Sequence, residues 1–314
     1  MKISLKISKK PKPYRKKIMS DDVKRTNEIE EFTNLYIIHP VSGWLVPRLA
    51  AKKITPNMVS LMGMFFGIFA GFAYFHYQTP YMALAGFLAM IMWHILDGAD
   101  GQLARLTKSY SEIGKILDGV CDYVTFFSVY LGLGLALAAQ AGPDIWYLII
   151  PAGLLHAIQS GAYELQRGEY DYWGHGKEAS GMPEIKQLVA QLKGKPLPAL
   201  LMNYFYIIYV RMQRITSGID SEFRRTIKET LAAHPEKEND IRMLYREIFA
   251  PGVRTWSVMC ANYRTIVIFI AAILGQPIYY LWYEIALLTP ILILLVQKQR
   301  LLNQLFTTRL KEIL

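Results

Sequence analysis

The chain has 314 residues, 53% of them hydrophobic and 19% charged, where an average soluble domain carries about 25% charge. Its formal balance is +10, and eight of those units fall in residues 1–25, where Lys2, Lys6, Lys9, Lys10, Lys12, Arg15, Lys16, Lys17, Lys24 and Arg25 oppose Asp21 and Asp22. Such hydrophobicity excludes a disordered chain, two cysteines exclude a disulfide framework or a Cys-rich zinc site, and a charge excess confined to one arm suits an anionic membrane surface rather than nucleic acid.

In chain order, residues 1–53 read as a basic arm followed by a juxtamembrane amphipathic segment. A secretory signal is not expected, because the basic stretch runs into a mixed polar segment and the first long apolar run starts only at Met58. Residues 54–166 hold four spans. Ile54–Ala104 contains no Lys or Arg and turns at Gln78-Thr79-Pro80; Ile116–Gln166 contains none either and turns at Ala141-Gly142-Pro143, giving spans near 113–139 and 144–164. A bilayer core of about 30 Å needs about 20 helical residues, so each stretch holds two. Cys121 and Cys260 sit inside apolar stretches and read as small buried hydrophobes.

Residues 167–254 form a polar insert, with helices expected over Ile219–Ala233 and Pro235–Phe249 and an interfacial helix over Leu197–Val210, which is apolar but short for a span. Residues 255–314 carry the last two spans, the fifth from near Thr255 to the turn at Gly275-Gln276-Pro277 and the sixth over Ile278–Leu295, followed by a basic tail. The fold class is therefore all-α integral membrane with six transmembrane helices. The three hairpin turns carry no Lys or Arg, whereas the flanks on the other side do, so both termini and the insert are expected on the cytoplasmic side of a cell's plasma or inner membrane.

The chemistry is concentrated where the second span ends and the third begins. Asp97 and Asp100 are three apart and Asp118 and Asp122 four apart, so each pair shares a helix face, and a short connection makes the two helices antiparallel neighbours. Four carboxylates converging in low dielectric need neutralising, and oxygen-only ligands suit two divalent cations, Mg²⁺ or Mn²⁺. Glycines at 98, 101, 114 and 119 would admit a bulky ligand or a neighbouring helix. Isolated caps or solvated acids do not explain four acids in otherwise uncharged helices, where ionisable groups are functional by default.

From Asp97 to Asp122 the residues meet every fixed position of D-x-x-D-G-x-x-A-R-x8-G-x3-D-x3-D, and the segment resembles the signature of the CDP-alcohol phosphotransferase family. Ile54-Thr55-Pro56-Asn57-Met58-Val59-Ser60 is similar to that family's entry to the first span. The resemblance implies transfer of a substituted phosphoryl group from a CDP-alcohol donor to an alcohol acceptor in membrane lipid, with release of CMP. It implies Asp97, Asp100 and Asp118 as metal ligands, Asp122 as ligand and general base, Gly101, Ala104 and Gly114 as room for the cytidine, Arg105 as diphosphate partner, and a homodimer. Asn57 would either bond the nucleotide or cap its helix. The large insert departs from the family's compact members and leaves the acceptor site open.

Arg264, in the fifth span, calls for an anionic partner, either a substrate phosphate at an acceptor or phosphate site or an acidic side chain. His94, His156 and Glu164 read as structural hydrogen-bond partners. Three other classes compete: a cation or proton transporter using the acids as a relay, a membrane prenyltransferase, and a nonenzymatic scaffold. None of them needs Ala104-Arg105, the eight-residue gap and Gly114 together.

Overall fold

In a computed structural model, residues 26–314 are described except Tyr110, Gln191, Lys193 and Lys195; the basic arm at 1–25 lies outside the described residues. Every regular element among the described residues is helical, and six helical segments are long and apolar enough to cross a membrane.

A π-turn at Asn34–Ile38 leads into α1 (His39–Ala51). This helix leaves Val41 and Trp44 exposed and buries Ser42, Val46 and Leu49. The Arg48 guanidinium stacks 3.7 Å from the Trp44 ring, a pairing suited to a membrane boundary.

Thr55 starts α2 (Pro56–Phe75), its hydroxyl accepting from the Met58 N–H at 3.3 Å, with Pro56 in the first turn where no amide is needed. Pro80 likewise opens α3 (Pro80–Thr107), and Ser111 caps α4 (Glu112–Ala141) by accepting from the Gly114 N–H at 2.9 Å. Asp97 lies about 26 Å along α3 from Pro80, which puts it close to the far boundary of a hydrocarbon core of about 30 Å.

Gly63, Gly67 and Gly71 recur at four-residue spacing on α2. A Cβ on Gly67 would collide with Thr125 of α4, one on Gly71 with the Ser128 carbonyl, and one on Gly132 with the Gly71 carbonyl. The two helices therefore meet backbone to backbone, as small-residue stripes allow in lipid, where burying apolar surface gives no driving force.

Helix α5 (Trp146–Glu169) runs through a π-turn at Tyr170–Gly174, well past the expected end at 164. The sixth span also outruns its expected end: α11 (Ile278–Trp282), a π-turn (Tyr283–Leu288) and α12 (Thr289–Ile313) form one long rod. The extensions meet α8 (Ser221–Ala233) and α9 (Glu238–Trp256) around Tyr170, Phe223, Ile227, Tyr245, Phe249 and Phe306, with Ile29 of the N-terminal strap inserted among them. This aromatic core explains why the helices continue beyond their apolar stretches: their polar continuations have an apolar face to bury.

The fifth span departs from expectation. In place of one helix from Thr255, α9 ends at Trp256, a turn at Ser257–Met259 follows, and Cys260 is extended (φ −72°, ψ 154°) before α10 (Ala261–Ile273). The break frees the Met259 carbonyl from helical pairing, and the buried Arg264 guanidinium takes it. Between α5 and α8 lie α6 (Ile185–Ala190) and α7 (Leu197–Thr216), the latter longer than expected and outside the six candidate spans. Its outward residues Leu197, Tyr204, Phe205 and Ile208 are exposed, while Ile207 and Val210 are buried. Both cysteines are free and buried.

Candidate active site

The C-terminal part of α3 and the first turns of α4 bring the motif acids to one cleft, lined by Asp97, Asp100, Asp118 and Asp122 with Ser60, Gly63, Trp93 and Cys121. One oxygen from each of Asp97, Asp100 and Asp118 lies within 4.8 Å of the others. Ligand oxygens across an octahedral Mg²⁺ shell are about 4.2 Å apart, so small side-chain movements close the set around a cation. Asp100 is buried, 6% exposed, and accepts a hydrogen bond from the Ser60 hydroxyl at 2.6 Å. Carboxylates this close in a half-buried cleft repel one another, and a hard divalent cation is what their donor chemistry suits.

Ser60 closes the first-span motif Ile54–Ser60, and the sequence pattern by itself assigns it no role. It projects from α2 one turn inside the Thr55 cap and fixes one Asp100 oxygen, leaving the other to turn toward its neighbours. The signal was its place in that motif, but only the packing of α2 on α3 reveals its partner.

The expected nucleotide residues gather beside the acids. Thr55 is the α2 cap, so Asn57 is released from that task. Its Oδ1 lies 3.1 Å from where a Cβ on Gly114 would stand, which puts Asn57 and Gly114 face to face across α2 and α4. The Arg105 guanidinium lies over Gly101, one turn back on α3, 3.5 Å from a Cβ placed there, and Ala104 is half-buried next to it. Gly98 serves a different end: a Cβ there would stand 3.0 Å from Ser42 Oγ and 3.3 Å from Ile38, so this glycine admits α1, which is pinned by the Ser42 hydroxyl donating to the Ile95 carbonyl at 2.7 Å. A Cβ on Gly119 would meet no neighbouring element within 4 Å.

Arg264 is not brought to this cleft. Its guanidinium is fully buried, donating through Nε to Glu284 at 2.7 Å, through Nη2 to Gln159 Oε1 at 2.7 Å, and through Nη1 to the Met259 carbonyl. Glu284 also accepts from the Tyr280 hydroxyl at 2.8 Å, and His156 stands 3.4 Å from the same oxygen. Of the two partners the sequence allowed, the acidic side chain is the one present. The expected acceptor or phosphate-binding role is corrected on this ground, since no guanidinium surface remains for a substrate. His94 bonds Thr265 at 2.8 Å, His156 bonds Tyr280 at 3.2 Å and Glu164 bonds Arg167 at 3.1 Å, all structural pairings of the kind expected.

The profile of the CDP-alcohol phosphatidyltransferase family matches residues 53–213. Among curated proteins, the chain is 31% identical over 124 residues to cholinephosphotransferase 1 of Gallus gallus, a match covering 37% of each chain. It is 33% identical over 116 residues to the bifunctional IPC transferase and DIPP synthase of Thermococcus kodakarensis (36% of this chain, 24% of the relative). It is 27% identical over 116 residues to a CDP-diacylglycerol–serine O-phosphatidyltransferase of Encephalitozoon cuniculi (33% and 30%). These matches span well under two thirds of each relative, and no solved structure matches. With more than half of its length covered by the profile and the signature acids at its centre, the chain belongs to the CDP-alcohol phosphatidyltransferase family.

Proposed function

We propose that this protein transfers a substituted phosphoryl group from a CDP-linked donor to an alcohol during membrane phospholipid synthesis, releasing CMP. The observation that carries the reading is the convergence of the four motif carboxylates on one cleft, three of them with oxygens within 4.8 Å. Two divalent cations, Mg²⁺ or Mn²⁺, held by Asp97, Asp100, Asp118 and Asp122, would when bound neutralise the diphosphate and polarise the phosphorus under attack.

The chain's own residues supply the remaining parts. Ser60 keeps Asp100 in its ligating rotamer. Asn57 and Gly114 flank the space for the nucleotide, and Arg105 offers donors to the diphosphate. Asp122 takes the proton of the attacking hydroxyl as the new oxygen–phosphorus bond forms and the bond from that phosphorus to the CMP oxygen breaks. The proton rests on Asp122 and the electron pair leaves with CMP.

The preferred donor is CDP-diacylglycerol with a small polar alcohol as acceptor. A second reading, head-group transfer from a CDP-choline, CDP-ethanolamine or CDP-inositol type of donor to a lipid acceptor, is favoured by the likeness to cholinephosphotransferase 1. The basic flanks support a cytoplasmic site in a multi-pass protein, and the family resemblance supports a homodimer.

The test is incubation of purified protein and Mn²⁺ with a panel of CDP-alcohols and candidate acceptors, read by mass spectrometry. Metal-dependent CMP release with a new phosphodiester product is expected. Ion flux across vesicles with no CMP from any pair would overturn the reading in favour of a transporter.

A further inference from the structure

The acid cleft changes character within one helical turn. Four residues before Asp97 on α3 stands Trp93, 4% exposed, which lines the cleft together with Gly63 of α2 and Cys121 of α4. The indole edge lies against α2, 3.4 Å from where a Cβ on Gly63 would stand. Its ring meets that of Phe126, one turn deeper than Asp122 on α4, edge to face at 5.2 Å and 88°. Phe126 is backed in turn by the His156 ring of α5 at 4.2 Å, and His156 bonds the Tyr280 hydroxyl at 3.2 Å.

Deeper than these rings the bundle is closed. Met90, Val129 and Leu133 are buried in one apolar cluster with Trp93, and α2 and α4 touch through main-chain atoms at Gly71 and Gly132. The cleft itself is nowhere wide enough to admit a water molecule. The carboxylates therefore rest on an apolar floor that offers water neither room nor hydrogen-bond partners. This bears on the reaction, because water and alcohol compete for one phosphorus. When water attacks, its oxygen bonds to phosphorus, the bond to the CMP oxygen breaks and one proton passes through Asp122 to solvent. The products are CMP and a phosphomonoester, and a water ordered beside the cations would favour that loss.

We propose that Trp93, seated on Phe126, sets the preference for an alcohol over water as acceptor by keeping the inner side of the cation cleft dry, an inference that rests on the phosphotransferase function proposed above. It gives the buried cluster of His156, Tyr280 and Glu284 a use, since that cluster holds the floor in place from behind.

The experiment takes purified protein, Mn²⁺ and the CDP-alcohol and acceptor pair that releases CMP, and quantifies phosphodiester and phosphomonoester products by mass spectrometry. The share of turnovers ending on water is expected to rise about tenfold in Trp93→Ala and in Phe126→Ala, and by less in Trp93→Phe, which keeps a ring. Met90→Ala opens a cavity in the same core about 10 Å from Asp97 along α3. It should lower the unfolding temperature without changing that share. A second measurement needs no turnover. Tb³⁺ takes the same oxygen ligands as Mn²⁺, and its emission lifetime in H₂O against D₂O counts the waters bound to it, the cleft's signal being the part lost in Asp97→Asn. Trp93→Ala should add about one water or more. A water share unchanged in both alanine variants, or raised equally by Met90→Ala, would overturn the floor's role and leave the phosphotransferase reading standing. Where Trp93→Ala is too inactive to assay, an unchanged Tb³⁺ water count overturns it. Absence of CMP from every pair in the parent protein would overturn both.

Discussion

The Ser60 hydroxyl donates to Asp100 at 2.6 Å, tying the first turn of one membrane helix to the acidic face of the next. Replacing it with alanine frees the buried carboxylate to rotate while leaving all four proposed ligand carboxylates in place. Ser60→Ala is expected to weaken Mn²⁺ binding by about 10- to 100-fold, as removal of such supporting bonds does elsewhere. An Mn²⁺ titration of CMP release checks this, with activity recovering at high Mn²⁺.

Asp122 carries the proton in the proposed reaction. Asp122→Asn keeps the shape and removes the base, so turnover should fall by at least about a hundredfold while CDP-alcohol binding, followed by equilibrium dialysis, persists. Normal activity in this variant would remove Asp122 from the base role.

The α2–α4 contact leaves no space at Gly132, where a Cβ would meet the Gly71 carbonyl. Gly132→Ala should destabilise the bundle by about 1–3 kcal/mol, as overpacking does, visible as a lowered unfolding temperature in detergent. Gly119→Ala, whose new Cβ would meet no neighbouring element within 4 Å, should leave that temperature unchanged.

The buried Arg264–Glu284 pair predicts a split between stability and binding. Arg264→Ala strands a buried carboxylate and should cost about 3–5 kcal/mol. Replacing both partners, as Arg264→Met with Glu284→Gln, should recover most of the loss. In the double variant the acceptor KM should match that of the parent protein; a KM raised several-fold would return Arg264 to the substrate.

Glu31 adds a pH dependence to the N-terminal strap. It accepts from Asn34 at 2.7 Å and from Asn262 at 2.9 Å. Burial pushes its carboxyl from the ordinary 4.5 up to about 7, the neighbouring Glu30 and Glu164 charges adding to this and Arg167 and Cys260 opposing it. A folded pKa above the unfolded one means that the protonated form favours the folded state. This contribution is fully present below about 4.5 and is lost as pH rises through 7. Protection of residues 26–34 against hydrogen exchange, taken relative to the intrinsic rate at each pH, should therefore fall between those values, and Glu31→Gln should flatten the fall.

The membrane hairpins and the acids of the cleft were legible because each obeys a local rule: apolar runs long enough to span, and carboxylates three and four residues apart on a helix face. What was not legible depends on contacts between distant segments. Arg264 and Glu284 are twenty residues apart, and their meeting requires the broken entry to α10 and the π-turn at Tyr283–Leu288, neither of which leaves a periodic trace. The extensions of α5 and α12 are hidden from the hydropathy pattern because their polar faces end its signal, while the aromatic face they bury against α8 and α9 does not restore it. The Gly63, Gly67, Gly71 stripe was readable in principle, since its spacing is the one that lets backbones touch.

That stripe also has a bearing on what the cleft can accept. Ser60 and Asn57 stand on α2, Asp118 and Asp122 on α4, and the separation of the two helices is held by main-chain atoms in contact at Gly71 and Gly132. Their spacing there is set by van der Waals contact between main-chain atoms, with no side chain in between to change rotamer. Under the proposed function, the gap between these two rails would act as a fixed gauge, and selection by size among ions and diphosphates would rest on the backbone more than on side-chain rotamers.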